Sequence, residues 1–483
     1  MHLSTVPAVG PGSDRWLSAV AFALSAVALG HAMEISNGNL HPDSVFWLTV
    51  ALPLALVGIS APTRASLDLR FGERTAAMAL AGGVAFQLTE LLTVPPAMYL
   101  RPGPGGMVPF VQALAVLGVV SGAAVAASGR FKHLVVAALL LAWLSLGVWL
   151  LHASPSPVID VFVFQRDASR TLLRGMNPYS MTFPDIYGNS PYYGPGLSVG
   201  GRLQFGFPYP PLSLFLALGG YVSAGDYRYA QLVAMAGAAV LMAYARNGRV
   251  GVLAAAVFLL TPRVLFVLEQ GWTEPYAVFL LALTVFTALR FPKAMPYALG
   301  LLLAVKQYTV LMVPLTLLLL PRPWRLKDAW NLLWRAGAVA LGVSLPLILW
   351  DVPAFVRSAI TLQFAQPFRT EALSYLAWWA RDGSPPLSPS LSLVAALLAI
   401  GVSLWRAPRT PAGFAGAVAL TCCAFFAFNK QAFCNYYYLV VGSLCVAVAA
   451  ADPTWSRVPV KSAVEPDPLP APPVAAPPVP EAS

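Results

Sequence analysis

Residues 134–153 read LVVAALLLAWLSLGVWLLHA, a run without Asp, Glu, Lys or Arg. About 20 apolar residues are needed for a helix to cross the hydrocarbon core of a bilayer, so this run predicts a membrane span. Of the 483 residues, 58% are hydrophobic and only 10% are charged. Soluble domains usually carry about 25% charged residues. We therefore expect an integral membrane protein built from helices.

Similar apolar runs recur along the chain and predict an all-α, polytopic transmembrane helical bundle of about 13 to 14 spans. These spans are predicted near 16–33, 44–60, 76–94, 108–128, 134–152, 228–245, 250–267, 275–290, 294–305, 308–320, 335–351, 390–405, 413–428 and 436–450. The apolar segment after Pro210 is short, and we expect a helix that dips into the membrane and returns. We place the break between 294–305 and 308–320 at Lys306, since a lysine in mid-bilayer costs about 2.5–3.5 kcal/mol.

The chain is predicted to divide into N-terminal spans (1–128), a core (129–451) and a tail (452–483). The tail is proline-rich and cannot bury a core, so we expect it to be disordered. Two long outer loops, 153–227 and 352–389, interrupt the core. Four cysteines lie in or beside late spans without the spacing of metal ligands, which favours a packing role.

The net charge is +10, and the basic residues lie in short clusters between the spans. This pattern is typical of signals that orient a membrane protein, and not of a nucleic-acid-binding groove. The clusters fall on one side if the N-terminus is cytoplasmic: Arg64, Arg70 and Arg74; Arg130 and Lys132; Arg246 and Arg249; Arg290 and Lys293; Arg322, Arg325 and Lys327; Arg406 and Arg409. The chain is rich in Ala, Arg and Pro and poor in Lys. This composition indicates a GC-rich bacterial genome and hence the cytoplasmic (inner) membrane.

The stretch DVFVFQRDASRTLLRGMNPY (160–179) concentrates two aspartates and three arginines just after the quoted span. On a helical projection the apolar side chains and the arginines form separate faces. The stretch therefore predicts an amphipathic helix in the membrane interface, ending at Gly175. Guanidinium groups beside carboxylates suit a lipid-phosphate substrate. The alternative is an ordinary surface helix, in which Asp167 pairs with Arg170 or Arg174.

The rest of this loop is rich in Tyr, Phe, Gly and Pro, and its segment FPYPP (207–211) is predicted to be extended and stiff. Tyr179, Tyr193 and Tyr209 are candidates to line a substrate site, because aromatic rings stack on sugars. Aromatic residues at a membrane surface are more often belt residues, which is the alternative.

Several motifs in residues 134–450 resemble the GT-C superfamily of membrane glycosyltransferases, above all the polyprenyl-phosphate-sugar-dependent family 87. They are Asp160 after a span, LLRGMNPY (172–179), FPYPPLSL (207–214), LEQGWTEPYAVFLLAL (268–283), GLLLAVKQYTVLMVPL (300–315) and FNKQAFCNYYYLV (428–440). The chain departs from the family's pattern in its first 128 residues. It also has Glu269 and Glu274 where many relatives have Asp, and KQY after the lysine element.

The resemblance implies an inverting sugar transfer on the non-cytoplasmic face. The donor would be a sugar, mannose-like or a pentose, on a polyprenyl phosphate, and the acceptor a glycan or glycolipid of the cell envelope. By the resemblance Asp160 is the catalytic base, a role that contributes on the order of 10²–10⁴ in rate.

Other candidate residues are chosen for their charge. Lys306, Arg166, Arg170 and Lys430 could bind the donor phosphate, although Lys306 could equally be a snorkelling lysine at a helix end. Glu269 and Glu274 could orient the acceptor or bind a divalent cation such as Mg²⁺ or Mn²⁺; interfacial helix caps are the alternative. Arg263, inside a predicted span, is expected to pair with a carboxylate or to turn outward toward Glu269.

Three other functions remain open from the sequence alone. A transporter or flippase of a lipid-linked sugar would explain polar groups at the ends of spans, but not a long aromatic loop that starts with an aspartate. A membrane scaffold would tolerate the loss of both Asp160 and Lys306. A lipid-oligosaccharide ligase is a near relative in mechanism.

Overall fold

The structure, a computed structural model, describes residues 13–60, 72–188, 192–320, 323 and 325–451. Within these ranges the regular secondary structure is helical apart from one small sheet, which confirms the predicted all-α membrane bundle. Six helices are long and apolar enough to cross a membrane, or seven if one bent pair counts as a span. The predicted tail 452–483 and the loop residues Arg64, Arg70 and Arg322 lie outside the described residues.

The first half of the described chain contains twelve α-helices and three short strands. In chain order they are α1 (Ser13–Ser36), α2 (Pro42–Ser60), α3 (Glu73–Thr93), α4 (Val108–Ala123), α5 (Gly129–Ala153), α6 (Asp160–Leu173), β1 (Phe183–Pro184), β2 (Ser198–Val199), β3 (Arg202–Leu203), α7 (Pro211–Ala224), α8 (Arg228–Ala245), α9 (Val250–Leu259), α10 (Val264–Gln270), α11 (Glu274–Arg290) and α12 (Met295–Ala304).

The second half adds seven α-helices, of which three short ones lie in the second outer loop. They are α13 (Leu326–Ile348), α14 (Val352–Phe355), α15 (Leu362–Ala365), α16 (Tyr375–Ala380), α17 (Ser390–Arg406), α18 (Pro411–Ala427) and α19 (Cys434–Ala450). Short 3-10 segments cover Ala124–Ala126, Gln307–Met312 and Pro314–Leu319, and a π-helical segment covers Val356–Thr361.

The expected count of 13 to 14 spans is not reached by full-length helices. The long apolar helices are α1 to α5 and α13, whereas α17, α18 and α19 have 17 residues each and α12 has 10. A helix of 17 residues rises about 25 Å, less than the roughly 30 Å of a hydrocarbon core. The predicted span 308–320 consists of 3-10 turns instead of a continuous α-helix.

The predicted span 250–267 is also interrupted, because α9 and α10 meet at an angle of 53°. Pro262 lies at the break and cannot donate the backbone hydrogen bond that would continue α9. Arg263 follows it with φ of 66°, in the left-handed region. Its Nη2 atom lies 2.8 Å from Glu34 Oε1, so the expected carboxylate partner is a residue of α1 and not Glu269.

The N-terminal helices share one hydrophobic core with the rest of the bundle. Buried side chains from Trp16 to Ala450 form a single cluster. α1 packs against α2, α3 and α19, and α3 packs against α9. All four cysteines are buried and free, as expected of packing residues.

The first outer loop begins with the predicted amphipathic helix, which is α6. The helix buries Val161, Phe164 and Ala168, and Gly175 follows it with φ of 71°, as a glycine at a helix end often does. The three strands form an antiparallel sheet in the order β1-β3-β2, in which Leu203 is paired with Phe183. The ring of Phe164 lies 4.7 Å from that of Phe183, so the sheet packs on the apolar face of α6.

Candidate functional site

Asp160 is the first residue of α6, immediately after the segment that follows α5. Its Oδ2 atom accepts a hydrogen bond of 2.9 Å from the Tyr193 hydroxyl, and its Oδ1 atom accepts one of 2.7 Å from the backbone N–H of Val161. The residue is only partly buried. Burial raises the pKa of the Asp160 carboxyl, and the hydrogen bonds together with the charge of Arg369 oppose this rise. A carboxylate with a raised pKa and access to a ligand is suited to accept a proton.

Lys306 lies at the predicted break, between α12 and the 3-10 segment Gln307–Met312. Its Nζ atom is 3.1 Å from Glu274 Oε1 and also donates a hydrogen bond to the Thr273 hydroxyl. Lys306 is 7% exposed and Glu274 is fully buried, so the lysine is paired inside the protein and does not snorkel. Oε2 of Glu274 has no hydrogen-bond partner among the described atoms.

Tyr209, from the FPYPP segment, connects these two groups. The Nζ atom of Lys306 lies 4.2 Å from the centroid of its ring, a cation–π contact. Burial raises the pKa of Tyr209 well above its usual value, and the negative charges of Asp160 and Glu274 raise it further. The charges of Asp160 and Glu274 therefore both affect the hydroxyl group of Tyr209. We call Asp160, Tyr193, Tyr209, Glu274 and Lys306 the Asp160–Lys306 site.

Three residues beside this site were not predicted. Arg369, in the second outer loop, has its guanidinium 4.3 Å from the ring centroid of Tyr192, and its charge lowers the pKa of Asp160. The Tyr308 hydroxyl donates a 3.0 Å hydrogen bond to Glu274, and Tyr187 accepts one of 3.2 Å from the Asp160 N–H. Tyr308 follows Lys306 by two positions and belongs to the same motif, which was a usable signal. Nothing in the local sequence distinguishes Arg369 from the other arginines of its loop.

The structure separates the contacts of Glu269 and Glu274, the two candidates for orienting an acceptor or binding a divalent cation. The two carboxylate oxygens of Glu269 accept hydrogen bonds of 2.7 Å from the backbone N–H groups of Met98 and Tyr99. Glu269 thus attaches α10 to the segment between α3 and α4, while Glu274 faces Lys306. Over the described ranges, no group of three or more His, Cys, Asp or Glu side chains could hold a metal ion.

Two further predicted residues have structural roles. Tyr179 is fully buried, and its hydroxyl donates a 2.7 Å hydrogen bond to the carbonyl oxygen of Tyr209. Tyr179 therefore positions the backbone of Tyr209 and does not line the site. The Nζ atom of Lys430 donates to the carbonyl oxygens of Phe364, at 3.1 Å, and Gln366, at 2.6 Å. These contacts hold the backbone that leads to Arg369, so the ammonium group is already engaged.

The arginines of α6 also differ from expectation. Asp167 pairs with Arg166, its neighbour in sequence, at 2.8 Å, and not with Arg170 or Arg174. Arg170 donates a hydrogen bond of 3.4 Å to the Tyr221 hydroxyl. Their contacts are with α6 itself and with α7, whereas Lys306 contacts Thr273, Glu274 and Tyr209. The structure does not bring the predicted phosphate-binding set together.

The outer loops of the N-terminal helices brace the segments that carry the site. Between α1 and α2, the N–H of Leu40 donates a 2.8 Å hydrogen bond to the carbonyl oxygen of Glu371, two residues from Arg369. Between α3 and α4, the Tyr99 hydroxyl donates one of 3.0 Å to the carbonyl oxygen of Val158, two residues before Asp160. The segments between α1 and α2 and between α3 and α4 are therefore part of the architecture around the site.

Comparison of this chain with family models, with curated proteins and with solved structures finds no match.

Proposed function

We propose that this chain is an inverting membrane glycosyltransferase of the GT-C type, similar to the polyprenyl-phosphate-sugar-dependent family 87. It transfers a mannose-like sugar or a pentose from a polyprenyl phosphate to a glycan or glycolipid of the cell envelope. The reaction takes place on the non-cytoplasmic face of a bacterial cytoplasmic membrane. One observation carries the proposal: the buried ammonium of Lys306 lies 4.2 Å from the ring centroid of Tyr209, and the charge of the partly exposed carboxylate Asp160 acts on the same tyrosine.

The proposed reaction is a single displacement at the anomeric carbon. An acceptor hydroxyl attacks that carbon, its proton passes to Asp160, and the bond between the carbon and the phosphate oxygen breaks. The electron pair of the broken bond stays on the polyprenyl phosphate. Tyr193 holds Oδ2 of Asp160 at 2.9 Å and stabilises its ionised form, so the carboxylate is oriented before the acceptor arrives.

Negative charge develops on the leaving phosphate, and a nearby cation stabilises it. We assign this role to Lys306. Its ammonium group is held by Glu274, Thr273 and the face of Tyr209. A charge fixed in advance in a site shielded from water stabilises a developing anion more strongly than a mobile one.

The proposal is tested by sugar transfer in detergent. The purified protein receives labelled mannose, arabinose or glucose on polyprenyl phosphates together with a cell-envelope extract, and wild type is compared with Asp160→Asn. The matched control is Asp167→Asn, which changes the same residue type in the same helix but removes only the pairing with Arg166. We expect Asp160→Asn to lower transfer at least a hundredfold with donor binding retained, and Asp167→Asn to leave transfer within about threefold.

Two results would overturn the proposal. Equal transfer by wild type and Asp160→Asn would remove Asp160 from the chemistry. Binding of the lipid-linked donor without any transfer would favour a flippase of lipid-linked sugars instead of an enzyme.

A further inference from the structure

A cavity of about 290 Å³ lies on the side of α6 occupied by its arginines. It is enclosed by the segment after α5, by α6 and by the turn between α7 and α8. Its walls include Ser156, Phe162, Arg166, Tyr221, Asp226 and Tyr227. None of these residues belongs to the Asp160–Lys306 site, and the proposed sugar transfer makes no use of them.

The charges around this cavity favour an anion. Arg166 lies in its wall with its guanidinium over the Phe162 ring, at 5.6 Å from the centroid. Arg170, one helical turn later, reaches the Tyr221 hydroxyl of the same wall. Asp226 does not cancel them, because its carboxylate is taken up by the fully buried Arg228, at 2.6 Å. With Asp167 neutralising one of the two arginines of α6, one positive charge is left to bind a ligand.

The position of the cavity along the bundle indicates the source of that anion. The apolar helix α5 ends at Ala153 and α8 begins at Arg228, so the cavity lies at the level where apolar helices end. Val158 and Val222 are close in sequence to the wall residues Ser156 and Tyr221, and they are 51% and 64% exposed. Guanidinium and tyrosine groups at such a level meet lipid head groups.

A second cavity, of about 400 Å³, lies on the same α7–α8 hairpin and is lined mainly by apolar side chains, among them Leu216, Val233 and Phe279. An anion bound at the first cavity could therefore carry a hydrocarbon chain along the hairpin. A free phosphate ion has no apolar part that could occupy this second cavity.

We propose that the arginine-lined cavity binds the phosphodiester of an anionic membrane phospholipid, with one acyl chain lying along the α7–α8 hairpin. Arg166 and Arg170 bind the phosphate oxygens, and the Tyr221 hydroxyl donates a hydrogen bond to them. This lipid is neither donor nor acceptor. It fixes the corner at which α6 meets the α7–α8 turn.

The test counts bound lipid by native mass spectrometry. The purified full chain in mild detergent is titrated with a short-chain phosphatidylglycerol, and wild type is compared with the double variant Arg166→Ala/Arg170→Ala. Arg174→Ala is the matched control, because Arg174 continues the same spacing of four immediately after α6, whereas the hydrogen bond to Tyr221 comes from Arg170. Size-exclusion profiles and thermal midpoints establish that each variant is folded, which is expected since these arginines are not buried.

We expect at least a tenfold loss of affinity for phosphatidylglycerol in the double variant and a change within twofold in Arg174→Ala. Inorganic phosphate at the same concentrations should not compete. Equal lipid binding by a folded double variant would overturn the proposal, and so would an equal loss in Arg174→Ala, since general surface charge would then explain the affinity. Competition by inorganic phosphate would make this an anion site and not a lipid site. All these outcomes are read without any sugar transfer.

Discussion

Two glutamates, one on each side of a single turn, show that the same type of side chain can have different roles in this protein. Glu269 lies near the end of α10 and Glu274 begins α11, with Gly271 between them in the left-handed region at φ of 68°. Both residues are fully buried. Glu269 gives its oxygens to two backbone N–H groups, whereas Glu274 faces a lysine and keeps one oxygen without a hydrogen-bond partner.

Burial therefore does not distinguish a structural carboxylate from a functional one, but the kind of partner does. Backbone amides of the segment between α3 and α4 satisfy Glu269 permanently, because they cannot move away without unfolding that segment. The partner of Glu274 is the ammonium group of Lys306, and Oε2 of Glu274 keeps no hydrogen-bond partner among the described atoms. On this argument Glu269 holds α10 to the segment between α3 and α4, and the region of Lys306 is where we propose that the chemistry takes place.

The largest effect is expected from Glu274→Leu. This change leaves the Lys306 ammonium buried without its counter-charge, and breaking a buried ion pair in this way costs about 3–5 kcal/mol of stability. The double variant Glu274→Leu/Lys306→Met removes both charges and should recover most of the thermal midpoint. Sugar transfer should stay at least a hundredfold below wild type in the double variant, because the phosphate has lost its cation. Recovery of transfer together with stability would show that the pair is purely structural.

Glu269→Gln tests the opposite side of the comparison. An amide is neutral and has one acceptor oxygen instead of two, so one backbone N–H of Met98 or Tyr99 loses its acceptor and the other keeps only a neutral one. We expect a cost of about 1.5–3 kcal/mol. Unfolding temperature should fall, while transfer per folded molecule should stay within about threefold of wild type. A variant that remains as stable as wild type but loses transfer would place Glu269 in the chemistry after all.

Tyr193→Phe should change the pH dependence of transfer. The Tyr193 hydroxyl stabilises ionised Asp160, so its removal raises the pKa of a carboxyl that burial already holds above its ordinary value. Because the ionised form accepts the proton, the acidic limb of kcat/KM should move to higher pH, while the plateau at high pH changes little. Tyr192→Phe, its neighbour, is the control and should leave the limb in place. An unchanged limb in Tyr193→Phe would contradict Asp160 as the base.

The smallest effect is expected from Lys430→Met. The change removes two hydrogen bonds to the carbonyl oxygens of Phe364 and Gln366. Lys430 is only partly buried, so water can replace the ammonium group at these oxygens and the loss of stability should be small. Transfer should stay within about twofold, since the lysine supports the second outer loop and not the donor. A tenfold rise in the KM for the donor with unchanged stability would return Lys430 to the phosphate-binding set.

Much of the helical framework could be predicted from apolar periodicity and from the cost of charges in lipid. The start of α6 at Asp160 and the break at Lys306 are two examples. The same cost applied to Arg263, with Pro262 before it, would also have predicted the break between α9 and α10. The segment 250–267 is predicted as one span when the arginine is considered only as a side chain in need of a partner.

The candidate site was less accessible to sequence reasoning, because its contacts join distant parts of the chain. Tyr179 and Tyr193 belong to the same aromatic loop and have the same chemistry. Only the fold turns one hydroxyl to Asp160 and the other to the backbone behind Tyr209. Arg369 influences Asp160 across more than two hundred residues of sequence, a distance over which periodicity and spacing carry no information.

The ion pair between Glu34 and Arg263 has a consequence for biosynthesis. Glu34 lies near the end of the first helix, and its partner is made 229 residues later. At about 5–20 residues per second, the ribosome needs roughly ten to fifty seconds to reach that arginine. During this interval α1 has a carboxyl group whose final partner does not yet exist, and an unpaired charge is costly in lipid. The end of α1 that carries Glu34 is therefore secured by this ion pair only after the chain has been made as far as Arg263.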